Sequence, residues 1–592
     1  MQDNKNLLLA IALAATFFIG WQYFVITPQM KEQQVRQAAI SAQEKPKTPA
    51  AASLAAAATK KLSRADALKQ SGARVAIDTP TVDGSIRLTG GTFDDLRLKN
   101  YRRTADPRSD EIVLLAPQST DYPFYAEIGW QAKAGSNVKV PDRQSVWTPV
   151  SGDVLSPRKP VQLSWDNGQG LVFLRTISVD DRYMFTIGDE VRNTGGAPVT
   201  LFPYADVTRY GVEESQQKSS VYIHKGFLGI GDGTLKRPSY GDFKDLHSPP
   251  QDVSSTGGWM GITDSYWMAS VIPPQTEKYD GEFSATDLPN AKAYQASYRL
   301  STRTIAPGAS VSVSHHLFAG AKVVDILRQY EKEQGVVNFD LAVDWGWFIF
   351  ITQPLFWVLN QFNHILGNFG LAILGLTVLV KLLFFPLANT SFKSMSRMKK
   401  VQPQMEAIKK AYGDDPQKMQ AETMALYKRE KVNPLMGCFP ILIQIPVFLS
   451  LYTVLSVTIE MYHVPFYGWI KDLSAPDPTS FLNLFGLLPY AVPTWIPAVI
   501  SIGVWPLLLG ATQWIQMKLN PAPADPVQAR MFAFMPLIFT FMFASLPAGL
   551  VIYYFWNNLL TLAQQSFIMK KEGVPIALFD NMPWLKKLTG AK

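Results

Sequence analysis

The sequence predicts a polytopic α-helical membrane protein of six spans joined to a large all-β, water-soluble sandwich domain, and three observations predict it. The 592 residues are 47% hydrophobic and only 18% charged, a balance away from disordered and average soluble chains. The apolar residues crowd into the amino terminus and the part beyond residue 340. Between those regions the hydrophobic period changes to two, the period of half-buried strands. A single cysteine, Cys438, excludes an intramolecular disulfide framework and a Cys-rich zinc site. The net charge of +8 gathers beside apolar stretches, as in membrane proteins, which argues against a nucleic-acid-binding face.

The elements follow in chain order. Residues 1–29 contain an apolar run, 7–26, of about the ~20 residues that a bilayer requires. No small-x-small cleavage site follows it, so an uncleaved anchor with Lys5 inside is expected in place of a signal peptide. Residues 30–72 are rich in Ala, Gln, Lys and Pro, a composition that buries no core and reads as a tether. Over 73–335, Val75 and Ile77, Ile86 and Leu88, then Val161, Leu163 and Trp165 alternate with polar residues. Asn167-Gly168 falls after the last run as a hairpin turn would. Regular strands separated by Gly and Pro imply an antiparallel sandwich. His224, His247, His315 and His316 show no metal-ligand spacing and are expected to be satisfied or solvent-facing. A sandwich fold by itself argues for no enzymatic activity.

Residues 340–366 are aromatic and apolar but interrupted by Gln353, Pro354, Asn360, Gln361, Asn363 and His364, so an amphipathic helix lying flat on the membrane is expected. Five spans then follow, at 368–387, 433–457, 495–517, 531–545 and 549–569. Basic residues, among them Lys399, Lys400, Lys409 and Lys410, assign the loop 388–432 to the cytoplasm, and Lys570, Lys571, Lys586 and Lys587 assign the tail 570–592 there too. The loop 518–530 shares that side. The loop 458–494, with Lys471 as its one strong base, falls outside together with the sandwich, as in a bacterial periplasm. The loop 388–432 reads as a helical hairpin broken at Gly413-Asp414-Asp415-Pro416. Met395, Met398, Met405, Met419 and Met424 make it either a docking platform or a plain solvated pair.

Lys381 carries the most chemistry. It interrupts an otherwise uncharged span, where a central lysine costs about 2.5 to 3.5 kcal/mol on insertion scales. Thr377 precedes it by four residues and shares its helical face. Gln444 is the sole strongly polar side chain in the heart of its span, and Asn557, Asn558, Thr561, Gln564 and Gln565 recur at helical spacing in the last one. Each alone reads as an interhelical hydrogen bond worth about 1 kcal/mol. With a lysine among them they read as walls of one wet groove. No Asp or Glu occurs in the five spans, so the partner of Lys381 is water, backbone or something that arrives. The Met and Phe side chains of 531–545, Phe534 and Met535 among them, suit either lipid or an adaptable apolar surface. No GxxxxGK[ST] loop appears, and a device that consumes no nucleotide, uses no cofactor or metal and is not an enzyme is expected.

The residues Tyr412-Gly413-Asp414-Asp415-Pro416, Met424-Ala425-Leu426-Tyr427-Lys428, Lys431-Val432-Asn433-Pro434-Leu435 and Gly437-Cys438-Phe439-Pro440 resemble the YidC-type membrane protein insertases. The resemblance continues through Ile443-Gln444-Ile445-Pro446 and Phe534-Met535-Pro536 to Gly549-Leu550-Val551 and Tyr553-Tyr554, and the anchor plus sandwich matches the Gram-negative form. It implies an inner-membrane insertase and chaperone acting on nascent membrane proteins, alone or with the Sec translocon. It also implies a five-helix core around a hydrophilic groove open to cytoplasm and lipid, and a sandwich similar to sugar-binding folds. Groove roles are implied for Lys381, Thr377, Gln444, Asn557 and Thr561, and contact with client helices for Phe534, Met535, Tyr553 and Tyr554. Ribosome or targeting-factor contact is implied for Lys399, Lys400, Lys409, Lys410 and the tail. The family usually has arginine where Lys381 stands, and often threonine where Ala388 stands, so this groove has a titratable cation and one polar group fewer. A secondary transporter and a membrane-anchored periplasmic carbohydrate-binding protein are the competing readings.

Overall fold

The computed structural model describes residues 61–574 apart from 213–223, 244–247, 289–290, 414, 431, 433–438, 489, 491, 493–495, 497–499 and 521–525. The expected anchor 1–29, most of the tether, His247, Cys438 and the tail from residue 575 lie outside the described residues. A short helix α1 (Arg64–Gln70), capped by the Ser63 side chain, leads into a β-rich domain of two sheets, of twelve and nine strands among the described residues.

Alternation builds the two-sheet core. In strand Met184–Asn193 of the smaller sheet Phe185, Ile187 and Val191 are buried between more open neighbours, whereas strand Phe124–Ala132 of the larger sheet is buried on both faces as far as Trp130. Phe93 meets Phe185 edge-on at 5.6 Å between the layers. An ion pair bolts the sheets together. Arg175 and Asp189 are direct cross-strand partners in the smaller sheet, joined at 2.7 Å, and the Arg175 guanidinium also donates to Ile128 O of the larger sheet at 2.6 Å. Gly91, with φ +62°, lets the backbone pass this group, because a Cβ there would meet Arg175 Nη1 and Trp147 Nε1 at 3.0 Å. Removing one partner of such a buried pair costs about 3–5 kcal/mol.

The Asn167-Gly168 dipeptide does lie in a hairpin, between antiparallel strands Val161–Asp166 and Leu171–Val179, but within a four-residue loop. Asn167 Oδ1 accepts the N–H groups of Gln169 and Leu171, while Gly168 and Gly170 supply the positive φ. The described histidines of the β domain are partnered: His315 with Tyr298 Oη at 2.7 Å, His224 with Phe227 O and His316 with Thr186. Burial pulls His315 down to about 4, so it is neutral near pH 7.

Helix α2 (Val324–Gln334) closes the β domain, and the remaining chain is helical. It comprises α3 (Ile349–Leu366), α4 (Phe369–Leu383), α5 (Phe385–Tyr412), α6 (Pro416–Arg429), α7 (Phe439–Val457), α8 (Val504–Leu519), α9 (Pro526–Phe543) and α10 (Ala548–Lys571). Two expected boundaries change. The span 368–387 breaks at Phe384, where α4 and α5 meet at 69°, because Pro386 has no N–H for the helical ladder and its ring crowds the preceding turn. Within the span 495–517, residues 500–503 are non-helical and α8 begins at Val504. No single described helix is long and apolar enough to cross a membrane, though the bent pair α4–α5 passes by length and composition.

The β domain is seated on the helical region by the chain that follows α7. Glu460 Oε1 accepts the Val324 N–H at the start of α2, at 3.1 Å, and Tyr462 Oη donates to Arg102 O at 2.9 Å. Tyr462 also packs on Tyr266 and Trp267. Further on, Leu473 O and Ala475 O accept the N–H groups of Gly549 and Ala548, satisfying orphan donors of the α10 amino terminus. Burial pushes Glu460 up to about 7, with Asp325 adding to the rise and Arg328 opposing it. An unfolded glutamate titrates near ~4.3, so the folded state binds this proton more tightly. Its stabilising effect is therefore complete below pH ~4 and is lost as pH rises through about 7, a change of at most about 3–4 kcal/mol. Glu460→Gln is expected to flatten part of the fall in Tm between pH 5 and pH 8. Equal falls in the variant and the parent protein, by differential scanning calorimetry in detergent, would show that Glu460 does not couple the junction to protons.

Candidate functional site

Helix α10 organises the helical region. It carries Tyr553, Asn557 and Thr561 at spacings of four, hence on one face, with Asn558 and Gln565 turned toward another. Asn557, Asn558, Thr561 and Gln565 are all buried, so each polar group needs a partner.

Those partners set the packing. Lys381 on α4 donates to Thr561 Oγ1 at 2.7 Å, and Thr561 donates in turn to Asn557 O. Gln444 on α7 donates to Tyr553 Oη at 2.6 Å. Asn558 donates to Gln513 Oε1 at 3.0 Å and Thr512 Oγ1 at 3.3 Å, and Gln565 to Asn520 Oδ1 at 3.0 Å. The order of contacts gives the directions. Asn558 meets α8 before Gln565 does, so α8 and α10 run parallel. Gly549 sits against Ile373 and Leu455, where a Cβ would meet Leu455 Cδ2 at 3.2 Å and Ile373 Cδ1 at 3.4 Å. With Lys381 at Thr561 and Gln444 at Tyr553, α4 runs parallel to α10 and α7 antiparallel. At 1.5 Å per residue, the Gln444 and Lys381 contacts are about 12 Å apart along α10.

The expected groove residues therefore divide. Lys381, Thr561 and Asn557 form one hydrogen-bonded chain, and Gln444 belongs to a separate pair with Tyr553. Thr377 is buried with its hydroxyl on Ile373 O, in contact with its own helix. Lys381 is half-buried, and Val378, Leu379, Leu382 and Leu383 around it are exposed. Tyr553 and Tyr554 pack inside the bundle, Tyr554 lying 5.1 Å from Phe448 and 5.0 Å from Phe543. Phe534 stands on the open face of α9 with Met531, Leu537, Ile538, Phe541 and Met542, while Met535 is half-buried.

The α5–α6 pair is an antiparallel hairpin: Tyr427 Oη donates to Met405 Sδ at 3.5 Å, and Arg429 to Gln404 Oε1 at 2.9 Å. On α5, Lys400, Lys409 and Lys410 are exposed and Lys399 half-buried. Sequence reasoning placed a span at 495–517 but missed its polar row: Thr512, Gln513 and Gln516, with Asn520 at the C-cap, recur at helical spacing, the same signal that marked α10. Gln516 Oε1, Gln564 Nε2 and Gln565 Oε1 are buried with no hydrogen-bond partner among the described residues. Chemically, the arrangement offers a cation held by a hydroxyl beside apolar surface, and a buried amide track that protein groups leave incompletely satisfied.

Two family models match the chain, the YidC periplasmic domain over residues 74–358 and the 60Kd inner membrane protein over residues 361–573. The membrane protein insertase YidC of Methylobacterium nodulans is 49% identical over 597 residues, covering 98% of this chain and 97% of that one. That of Rhizobium meliloti is 48% identical over 595 residues, 98% of each. A solved active YidC insertase with its first transmembrane domain resolved covers 83% of this chain and 92% of its own at 19% identity, with a TM-score of 0.36.

The Gln444–Tyr553 hydrogen bond is expected to couple α7 to α10 by about 0.6 kcal/mol and at most ~1.7 kcal/mol. A double-mutant cycle of Gln444→Leu and Tyr553→Phe, read by unfolding in mixed micelles, measures it. Strictly additive effects would show that the two side chains do not cooperate.

Proposed function

This chain belongs to the YidC family, the membrane protein insertases of the bacterial inner membrane, which carry a periplasmic domain and are not an enzyme family in the catalytic sense, and from that premise we propose how its own residues do the work. Helices α4, α7, α8, α9 and α10 form a five-span core, and the anchor 1–29 makes six. The polar faces of α10 and α8 line a hydrated groove open to the cytoplasm, where Lys381 receives the polar flank of a nascent membrane protein. The open face of α9, with Phe534, leads its apolar segment out to lipid. Lys400, Lys409 and Lys410 on the cytoplasmic hairpin meet the ribosome or a targeting factor, and the Sec translocon is a partner for longer clients.

One observation carries this reading. Lys381 stands in an uncharged apolar helix with a hydroxyl, Thr561, as its hydrogen-bond partner, and makes no ion pair with the described residues. A cation so held keeps its attraction for an acidic flank. Two further features support the setting. In the β domain the large apolar side chains left exposed are few, whereas from Trp347 onward they cover the outer faces of the helices, as a lipid-facing surface requires. The unpartnered amide atoms of Gln516, Gln564 and Gln565 call for water inside the bundle.

The energetics fit a device without fuel. A twenty-residue apolar segment gains on the order of 10 kcal/mol on entering the bilayer, at about 0.3 to 0.6 kcal/mol per residue. The barrier is the polar flank, at about 2.5 to 3.5 kcal/mol for each charge near the centre. A groove that holds water partway through the bilayer shortens that crossing.

Lys381→Ala is expected to slow insertion of a client with an acidic external tail about fivefold to tenfold, equivalent to about 1–1.4 kcal/mol, and to leave a neutral-tailed client near the parental rate. Lys381→Arg is expected to retain both. The measurement is protease protection of the translocated tail in proteoliposomes. Equal rates in all three proteins for the acidic client would remove the electrostatic part of the mechanism.

A further inference from the structure

The loop between α7 and α8 carries a feature that insertion through the groove does not use. No charged residue stands between Asp477 and Lys518, although the loop's first half, with Glu460, Lys471 and Asp472, is charged as an aqueous loop should be. Within the uncharged part, Leu484, Phe485, Leu487 and Tyr490 are exposed, Leu487 by 83%. The exposure comes from a built turn. Leu484 and Phe485 both take left-handed backbone angles, φ +50° and +60°, which side chains larger than asparagine rarely adopt. Phe485 N–H donates to Ser480 O at 2.7 Å and Leu488 N–H to Asn483 O at 3.1 Å, while Asn483 Oδ1 takes the Gly486 N–H and Tyr490 Oη donates to Leu482 O.

The base of the loop is clamped. Asp477 Oδ1 accepts from Trp469 Nε1 and from the N–H and hydroxyl of Thr479, and its Oδ2 accepts the Trp505 N–H in the first turn of α8. Thr479 Oγ1 accepts the Val504 N–H, and Phe481 N–H donates to Ile502 O. Gly503 is needed there, since a Cβ would lie 2.6 Å from Asp477 Cγ. One buried carboxylate thus closes both ends of an apolar loop on the amino terminus of a helix. Ile500 and, on α8, Leu507 and Leu508 are exposed as well.

We propose that residues 480–488 with Tyr490 form an interfacial lipid anchor, a preformed apolar turn that enters the outer leaflet at headgroup level beside α8 and holds the outer end of the bundle at a fixed depth. The occupant is lipid because the turn is uncharged, bears aromatic and branched apolar groups as membrane-interface segments do, and is clamped at its base to the first turn of α8, whose Leu507 and Leu508 are exposed. The proposal rests on the reading of α8 as a span.

In a Cys438→Ala background, nitroxide labels are placed by Leu487→Cys, Leu508→Cys and Lys471→Cys in the full-length protein in phosphatidylethanolamine/phosphatidylglycerol nanodiscs, and collision with oxygen and with a water-soluble nickel chelate is compared. Lys471 is exposed and serves as the aqueous reference. At Leu487 and Leu508, oxygen is expected to exceed nickel severalfold, with the reverse at Lys471. Oxygen-rich collisions at Leu508 with nickel-rich collisions at Leu487 would overturn the anchor and leave the span intact. Nickel-rich collisions at both would sink both readings together. Protection of Leu487 from both reagents would mean a protein surface covers the turn, which also overturns the proposal.

Discussion

The buried polar side chains of α10 that bond across to other helices, Tyr553, Asn558, Thr561 and Gln565, decide which helices can lie against it. A buried amide without a partner costs about 1–3 kcal/mol, more than an apolar contact returns at the same place. Asn558 and Gln565 are matched by Thr512, Gln513 and Asn520 over seven residues of both helices. Sliding α8 by one residue would rotate its polar row by about 100° and leave both amides exposed to side chains that cannot bond them. The opposite face selects α4 and α7 in the same way, through Lys381 and Gln444. Hydrophobic contact then fills the layers, with Phe448, Phe543 and Tyr554 as the aromatic knot, but the register is polar.

The outer end of the bundle is held by a different device. Helices α8 and α10 both begin there, and their first N–H groups would be unsatisfied in an apolar setting. The loop after α7 supplies Thr479, Asp477, Leu473 O and Ala475 O to those groups, and on its way it offers Glu460 and Tyr462 to the β domain. One stretch of chain therefore caps two helices and seats a domain. The β domain itself is rigid across its layers because Arg175 ties both sheets, so a load on it passes to the junction and through it to the helix ends.

Much of this was legible in the residues. A lysine in an uncharged apolar run and amides recurring every three or four residues are conspicuous because such side chains are expensive in hydrocarbon, and alternation over Val161, Leu163 and Trp165 marks a half-buried strand wherever it occurs. What escaped was geometry that apolarity does not encode. Apart from Lys381, apolar residues continue from Phe369 to Leu387 across the 69° bend, and Pro386, with its missing N–H, is the residue that marks it. Residues 500–503 lie within the apolar run of the span yet are non-helical, because a turn and a helix can be equally apolar. The hydroxyls of Thr377 and Thr561 each donate to the carbonyl one turn back, on Ile373 and Asn557, a bond that a four-residue spacing in the sequence does not reveal. The polar row of α8 carried the same spacing signal as that of α10 but lacked a charge to draw attention to it.

The choice of partner for Lys381 has a consequence for any charged client. An ammonium has three donors, and Thr561 takes one of them. Had a carboxylate stood at that position, the pair would have been nearly neutral at a distance, and an approaching acidic flank would have met competition in place of attraction. A hydroxyl orients the lysine without cancelling its charge. At an effective dielectric constant of 20, an uncompensated unit charge attracts another at 4 Å by about 4 kcal/mol, which is comparable to the cost of carrying one charge to the middle of a bilayer. In the proposed mechanism, the polar contacts of α10 offset the cost of an unneutralised cation at folding, which would leave its attraction available to an arriving polar segment.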